Sequence, residues 1–174
     1  MTKEIAPIVI DKHELHSTWP VYCQPDKRQL AQEGVTLIVE RRHACHGPGD
    51  RITVVATLRS DNPHTVILRG FEMTLKETTI FRAQTFTAVR KVAPLVRVAN
   101  IGETKLAINA TLYGGTTHQA ELSCQLPHNH TTTTLNAARH IDVTYVLSVK
   151  ALMGTGTHVS MDLPVIISNW QRQV

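Results

Sequence analysis

Apolar and polar residues alternate with a period of two along much of this chain, most clearly near its C-terminus. Between residues 158 and 169, every second position is apolar: Val159, Met161, Leu163, Val165 and Ile167. Successive side chains of a β-strand point to opposite faces, so this pattern predicts a strand with one buried face. Pro164 cannot donate a ladder hydrogen bond. The strand is therefore expected at a sheet edge, or with its open edge at the proline.

Two upstream segments show the same alternation on either side of a turn signal. Residues 35–41 and 51–58 flank Gly47-Pro48-Gly49-Asp50, where proline presets φ and glycine accepts positive φ. We expect these strands to turn back on each other there. A further strand follows residue 65, interrupted at Arg69. Its core-facing side chains are predicted to be Ile67, Phe71, Met73 and Leu75.

The second half of the chain contains two hairpin signals. Residues 106–112 and 120–126 alternate on either side of Gly114-Gly115, a pair suited to a tight turn. Residues 141–149 alternate in the same way and lead through a glycine-containing turn into the closing strand. Both pairs are predicted to be antiparallel hairpins.

Seven or eight one-sided strands without a long helix predict an all-β fold in which two antiparallel sheets face each other as a β-sandwich. The one helical candidate is residues 25–34, with Pro25 near the first helical position and Gly34 as a stop signal. Residues 127–140 are polar and lack periodicity, which predicts a long loop. The stretch before residue 104 is expected to hold one irregular strand broken at Pro94.

Composition excludes several classes of protein. The chain has 174 residues and 42% hydrophobic content, and it contains no apolar run of the roughly 20 residues needed to span a membrane. The N-terminus lacks the pattern of a signal peptide, and three cysteines form no even disulfide framework, so a cytoplasmic protein is expected. The mild basic excess of 18 Lys and Arg over 14 Asp and Glu does not indicate nucleic-acid binding.

The chain shows no catalytic signature. Its loops contain zinc-ligand residue types, but their spacing does not fit a zinc finger, and solvated or hydrogen-bonded side chains are the favoured interpretation. These residues are His43, Cys45, His46, His128 and His130. Nucleophile elbows, glycine-rich phosphate loops and paired carboxylates are lacking. We therefore predict no catalytic residues, no metal site and no cofactor.

The order of these segments resembles the C-terminal domain of arrestin-related trafficking adaptors of the fungal type. The likeness runs from about Val35 to Asn169, and its most specific parts are Pro48-Gly49-Asp50, the strand at residues 141–149 and the closing Leu163-Pro164-Val165-Ile166. The resemblance implies an immunoglobulin-like sandwich over residues 35–170, preceded by an entry segment or interdomain linker over residues 1–34. It also implies an N-terminal arrestin-like domain that is missing from this chain.

By the same resemblance, the expected function is that of a non-enzymatic adaptor. Such a protein links the tails of membrane cargo to a HECT-type ubiquitin ligase and promotes endocytosis and protein sorting. It is expected in the cytoplasm, peripheral at the plasma membrane or endosomes. One alternative is a structural subunit of a sorting coat, like the arrestin-like subunit of retromer. Another is a metal-dependent enzyme built on the loops at one end of the sandwich.

Two surface features are candidate interaction sites. A set of basic residues is predicted either to form a solvated face or to bind acidic protein tails or phospholipids. Its members are Arg41, Arg42, Arg51, Arg82, Arg90, Lys91 and Arg97. The stretch Trp19-Pro20-Val21-Tyr22 is a degenerate version of the motif that ligase WW domains bind. The favoured interpretation is structural, with Trp19 and Tyr22 packed on the sandwich or against the missing neighbour.

Overall fold

The computed structural model describes residues 19–82, 93–136 and 138–169. Within these ranges the chain forms one helical turn and nine strands, and no helix is long enough to cross a bilayer. The elements are α1 (Trp19–Tyr22), β1 (Asp26–Gln32), β2 (Val35–Arg41), β3 (Cys45–His46), β4 (Arg51–Ser60), β5 (Val66–Phe81), β6 (Leu95–Leu112), β7 (Thr117–Gln125), β8 (Ile141–Met153) and β9 (Val159–Ile167).

The strands form two sheets, with the order β1-β2-β4-β7 in the first and β3-β9-β8-β5-β6 in the second. All pairings are antiparallel except the short parallel contact of β3 with β9. The predicted all-β sandwich is confirmed. The predicted return of residues 51–58 onto residues 35–41 is also confirmed, since β2 pairs with β4.

One continuous core lies between the sheets, and the alternating residues form it. Every second residue of β8 from Val143 and of β9 from Val159 is buried. Leu37, Leu58 and Leu122 meet them from the first sheet and are almost completely inaccessible to solvent. Each sheet has one apolar face, which it cannot bury alone. Packing the two sheets face to face removes both apolar faces from water.

The position of Pro164 agrees with its missing N–H. In the second sheet β9 lies between β8 and β3, but β3 pairs only with Ile166 and Ile167. Pro164 therefore lies where the outer side of β9 has no strand partner. Its carbonyl oxygen accepts a hydrogen bond from the guanidinium of Arg41 at 2.6 Å, so the polar group that proline retains on this side is satisfied.

The predicted helix at residues 25–34 is wrong, because residues 26–32 form β1 and pair with β2 along its whole length. Only Glu33 and Gly34 separate the two strands, and both have positive φ, at 50° and 79°. That conformation is typical of a two-residue hairpin turn that follows the right-handed twist of the strands. The glycine interpreted as a helix stop is therefore a turn residue.

In β5 the core-facing residue near the start of the strand is Leu68, not the predicted Ile67, which is exposed. The pairing register shifts between Leu68 and Gly70, so a β-bulge reverses the alternation there. Gly70 is required by close packing, because a Cβ at this position would lie 2.2 Å from the carbonyl oxygen of Leu106. The interruption at Arg69 is this bulge.

The predicted hairpin across Gly114-Gly115 is also wrong in its pairing. β6 pairs with β5 in the second sheet, whereas β7 pairs with β4 in the first. The turn itself is present, with Gly115 at φ 83° and the Thr116 N–H donating to the Tyr113 carbonyl. It carries the chain from one sheet to the other, since a turn signal fixes a change of direction but not the strand partner.

Candidate functional site

The loop histidines predicted as a weak zinc candidate lie in two different environments. His43 and His46 lie near β3 with their ring centroids 4.8 Å apart and their ring planes inclined at 45°, whereas His130 contacts the ring of Tyr145 on β8. Among the residues that the structure describes, no three His, Cys, Asp or Glu side chains converge as metal ligands do.

The His130 environment is a polar network that holds the long loop before β8. The Tyr145 hydroxyl lies 2.7 Å from Glu77 Oε2 and 2.8 Å from the Thr132 carbonyl oxygen, two acceptors for its single proton. His130 Nε2 lies 2.9 Å from the same hydroxyl. Burial and the hydrogen bond to Glu77 raise the pKa of Tyr145. The arrangement fixes the loop on the strands, because a buried hydroxyl is stable only with its partners in place.

Arg41 occupies the most unusual position among the predicted basic residues. Its side chain is 5% exposed, and it joins the two sheets by donating to the Pro164 carbonyl at 2.6 Å and to Asp26 Oδ2 at 3.0 Å. Its Nε is buried without a hydrogen-bond partner among the described residues. Burial lowers the pKa of the guanidinium, and the hydrogen bond to Asp26 partly offsets this effect. Arg41 is thus a cross-link between β2 and β9.

Arg42 and Arg51 lie with Arg41 around a cleft of about 580 Å³ at one end of the first sheet. We call this cleft the arginine cleft. It is lined by four permanent cations and three carboxylates: Lys27, Arg41, Arg42, Arg51, Asp26, Glu40 and Glu121. Two cations are already used, since Lys27 pairs with Glu40 at 2.7 Å and Arg41 with Asp26 at 3.0 Å. Arg42 and Arg51 are exposed, and none of the ion pairs between described residues includes either of them.

The other predicted basic residues do not belong to this cleft. Arg97 lies on β6 of the second sheet, and Arg82 directly follows β5 and forms an ion pair with Asp142. Arg90 and Lys91 lie outside the described residues. The structure therefore brings together Arg41, Arg42 and Arg51.

The sequence matches the family described as "Arrestin (or S-antigen), C-terminal domain" over residues 34–171. The chain belongs to the arrestin family. The match confirms the resemblance to an arrestin C-terminal domain, and proteins with this fold are generally non-enzymatic.

The arrestin domain is also similar to the crystal structure of Spo0M, a sporulation control protein from Bacillus subtilis. The TM-score is 0.63 at 12% sequence identity, and the likeness covers 79% of this chain and 50% of that chain. The domain therefore spans half the length of that structure. At this identity the likeness supports the arrestin-like sandwich alone. A search of curated proteins found no match to this chain.

The stretch Trp19-Pro20-Val21-Tyr22 forms α1, which precedes the residues that match the family. A WW-domain ligand is instead an extended polyproline II segment. Tyr22 is half-buried, and its carbonyl accepts a hydrogen bond from the Ala44 N–H at 2.7 Å. Ligase binding through this stretch would require the helical turn to unwind. The Trp19 side chain lies outside the described part of the structure, so its predicted packing stays a prediction.

Sequence reasoning missed a group of exposed apolar side chains where β5 ends and β6 and β8 begin. Five large apolar residues lie exposed there: Phe81, Leu95, Val96, Val98 and Ile141. The signal was present in the sequence "PLVRVA", where consecutive apolar residues break the alternation of a one-sided strand. We call this group the apolar tip.

Proposed function

We propose that the chain is the C-terminal domain of an arrestin-related adaptor that links membrane cargo to a HECT-type ubiquitin ligase in endocytosis and protein sorting. The family match over residues 34–171 carries this proposal. The protein works in the cytoplasm, peripheral to the plasma membrane or endosomes. An N-terminal arrestin-like domain and the ligase-binding motifs belong to the parent protein.

The arginine cleft is the surface we assign to cargo. Arg42 and Arg51 are exposed cations at its wall, and the β4 residues Thr53 and Val55 also line it. A carboxylate-rich peptide would gain charge-assisted hydrogen bonds from the two guanidinium groups, and Arg forms such bonds in a bidentate geometry. The acidic tail of a membrane protein therefore fits the charge of this cleft better than a basic one does.

The test is a titration of acidic cytoplasmic-tail peptides with the purified chain and two charge-reversal variants, Arg42→Glu and Arg51→Glu. The matched control is Arg59→Glu, which reverses an exposed arginine at the other end of β4 that is already paired with Asp61. We expect binding that weakens about tenfold or more in the cleft variants and less than about twofold in the control. Equal weakening in all three variants would show that binding depends only on the net charge of the chain and would contradict the assignment of cargo to the arginine cleft.

The open outer edge of β6 favours the coat-subunit alternative. This strand has 18 residues and ends the second sheet in the described structure. An unpaired edge is a template for a strand of another protein. A coat subunit would elute from size exclusion in a stoichiometric complex that survives dilution, whereas an adaptor would bind cargo tails reversibly.

A further inference from the structure

The apolar tip contains a row of three side chains across three neighbouring strands. Phe81 at the end of β5 pairs with Leu95 on one side and with Ile141 on the other. Directly paired residues place their side chains on the same face of a sheet. The three residues are 39%, 68% and 37% exposed, respectively. They continue the core face of the sheet beyond the point where the first sheet covers it.

The opposite face of the same strand end is apolar too. Val96 and Val98 alternate with Leu95 along β6, so they point to the other side, and they are 53% and 60% exposed. A protein partner with a flat surface would cover one face and leave the other in water. A medium that surrounds the strand end covers both faces at once, which is what this distribution of apolar side chains requires.

The charges around the apolar tip are mostly positive. Arg82 directly follows Phe81, Arg97 lies between Val96 and Val98 on β6, and both side chains are exposed. The Arg82 N–H donates to the His140 carbonyl at 2.7 Å, which brings the exposed Arg139 next to the strand ends. Asp142, paired with Arg82, is the one acidic side chain on these strand ends in the described structure. Three cations against one carboxylate complement an anionic surface.

We propose that the apolar tip inserts into the headgroup region of an anionic lipid bilayer. Residues 95–98 of β6 extend about 10 Å along the strand, which matches the depth of about 5–10 Å at which interfacial elements bury their apolar face. Arginine side chains keep their charged ends at the level of the phosphates while their stems follow the apolar residues. The open edge of β6 limits the depth, because unpaired backbone groups are not tolerated in the hydrocarbon.

This inference deepens the proposed function by naming how the adaptor reaches the membrane. The experiment is co-sedimentation of the purified chain with phosphatidylcholine vesicles, with or without about one third phosphatidylserine. The test variant is Leu95→Ser with Val98→Ser, and Arg97→Gln removes one charge. The matched control is Tyr113→Ser, which removes an exposed apolar ring at the opposite end of β6.

We expect binding to the anionic vesicles only, a loss of about tenfold or more in the double variant, a loss of about fivefold in Arg97→Gln, and no change in the control. As a second readout that keeps the tip apolar, Phe81→Trp should add fluorescence to that of Trp19 and Trp170, and the added signal should shift to shorter wavelengths with anionic vesicles. Three results would each overturn the proposal: no binding to anionic vesicles, a Phe81→Trp signal that does not shift, or an equal loss of binding in the Tyr113→Ser control.

Sedimentation equilibrium without lipid tests the competing possibility that a second copy of the chain binds the apolar tip. A dimer that the Leu95→Ser, Val98→Ser variant dissociates would assign the apolar tip to a second copy of the chain and contradict membrane insertion. These assays contain neither cargo nor ligase. Their failure would therefore leave the adaptor proposal standing, and that proposal fails separately in the cargo-peptide titration.

Discussion

Replacing Arg41 separates its structural role from a role in ligand binding. Its guanidinium bonds the Pro164 carbonyl and Asp26 from a side chain that is almost completely buried. Arg41→Met keeps much of the apolar stem and removes the charge. Asp26→Asn keeps the buried charge and removes its counter-ion. If Arg41 is a cross-link between the sheets, the two substitutions have different costs.

The contacts of Arg41 determine how much stability each variant is expected to lose. Arg41→Met loses a charged hydrogen bond to the Pro164 carbonyl, about 1.5–3 kcal/mol, and an ion pair worth at most about 1 kcal/mol, since the Asp26 side chain is 31% exposed and screened by solvent. It also removes the buried Nε that lacks a hydrogen-bond partner, which increases the free energy of unfolding by about 1–3 kcal/mol. From the middle of each range, the net loss is about 1 kcal/mol. Asp26→Asn leaves the charge buried without its counter-ion and is expected to cost about 2–4 kcal/mol.

Urea unfolding followed by circular dichroism measures the free energy of unfolding of each variant and of the double variant. We expect Asp26→Asn to be the more destabilised single variant, and the double variant to be no less stable than Asp26→Asn. If Arg41→Met unfolds at the same urea concentration as the unmodified chain and loses affinity for acidic peptides, the cross-link interpretation is refuted and Arg41 is a ligand-binding residue.

Three further predictions follow from buried groups and from α1. Val165→Asp places a charge in the core and should lower the free energy of unfolding by about 3–5 kcal/mol, and an unchanged melting temperature would contradict the assigned face of β9. Because the pKa of Tyr145 is raised above its ordinary value of 10.0, stability should fall above pH 10 by up to about 1.4 kcal/mol per pH unit. Tyr145→Phe should flatten that fall in urea titrations, and equal slopes would argue against it. Ligase WW domains should bind this chain weakly or not at all in fluorescence polarisation, whereas a low-micromolar affinity lost in Tyr22→Ala would show an exposed, extended motif.

Alternation alone predicted the buried faces of β8 and β9. In β8 and β9, side chains that occur every second residue must share a face in any antiparallel sheet, so Val143 and Val165 could be assigned to the core directly from the sequence. The pairing partner of each strand could not be predicted in the same way. β6 and β7 are adjacent in sequence and carry a good turn signal, yet they lie in different sheets, because packing across the whole domain selects the partner of each strand.

β1 shows the limit of local propensity. Its sequence, DKRQLAQ, contains good helix formers and no β-branched residue. Pairing with β2 and the hairpin turn at Gly34 override that preference. In the candidate site, the segment Glu40-Arg41-Arg42-His43 reads as uniformly polar. Arg41 nevertheless shares the alternation of β2 with Val35, Leu37 and Val39, which places it on the buried face. Its hydrogen-bond partner, the carbonyl of the distant Pro164, could not be read from the local sequence.

The proposed link between cargo and ligase is tested most directly by measuring the ubiquitylation of membrane proteins in cells that express this protein. Peptides carrying the glycine–glycine remnant of ubiquitin are quantified by mass spectrometry after the protein is removed, and again after it is restored with intact Arg42 and Arg51 or with both reversed to Glu. We expect a defined set of membrane proteins to lose the remnant on removal, to regain it with the intact protein, and to remain unmodified with the charge-reversed protein. An unchanged pattern of membrane-protein ubiquitylation after removal would contradict the adaptor function.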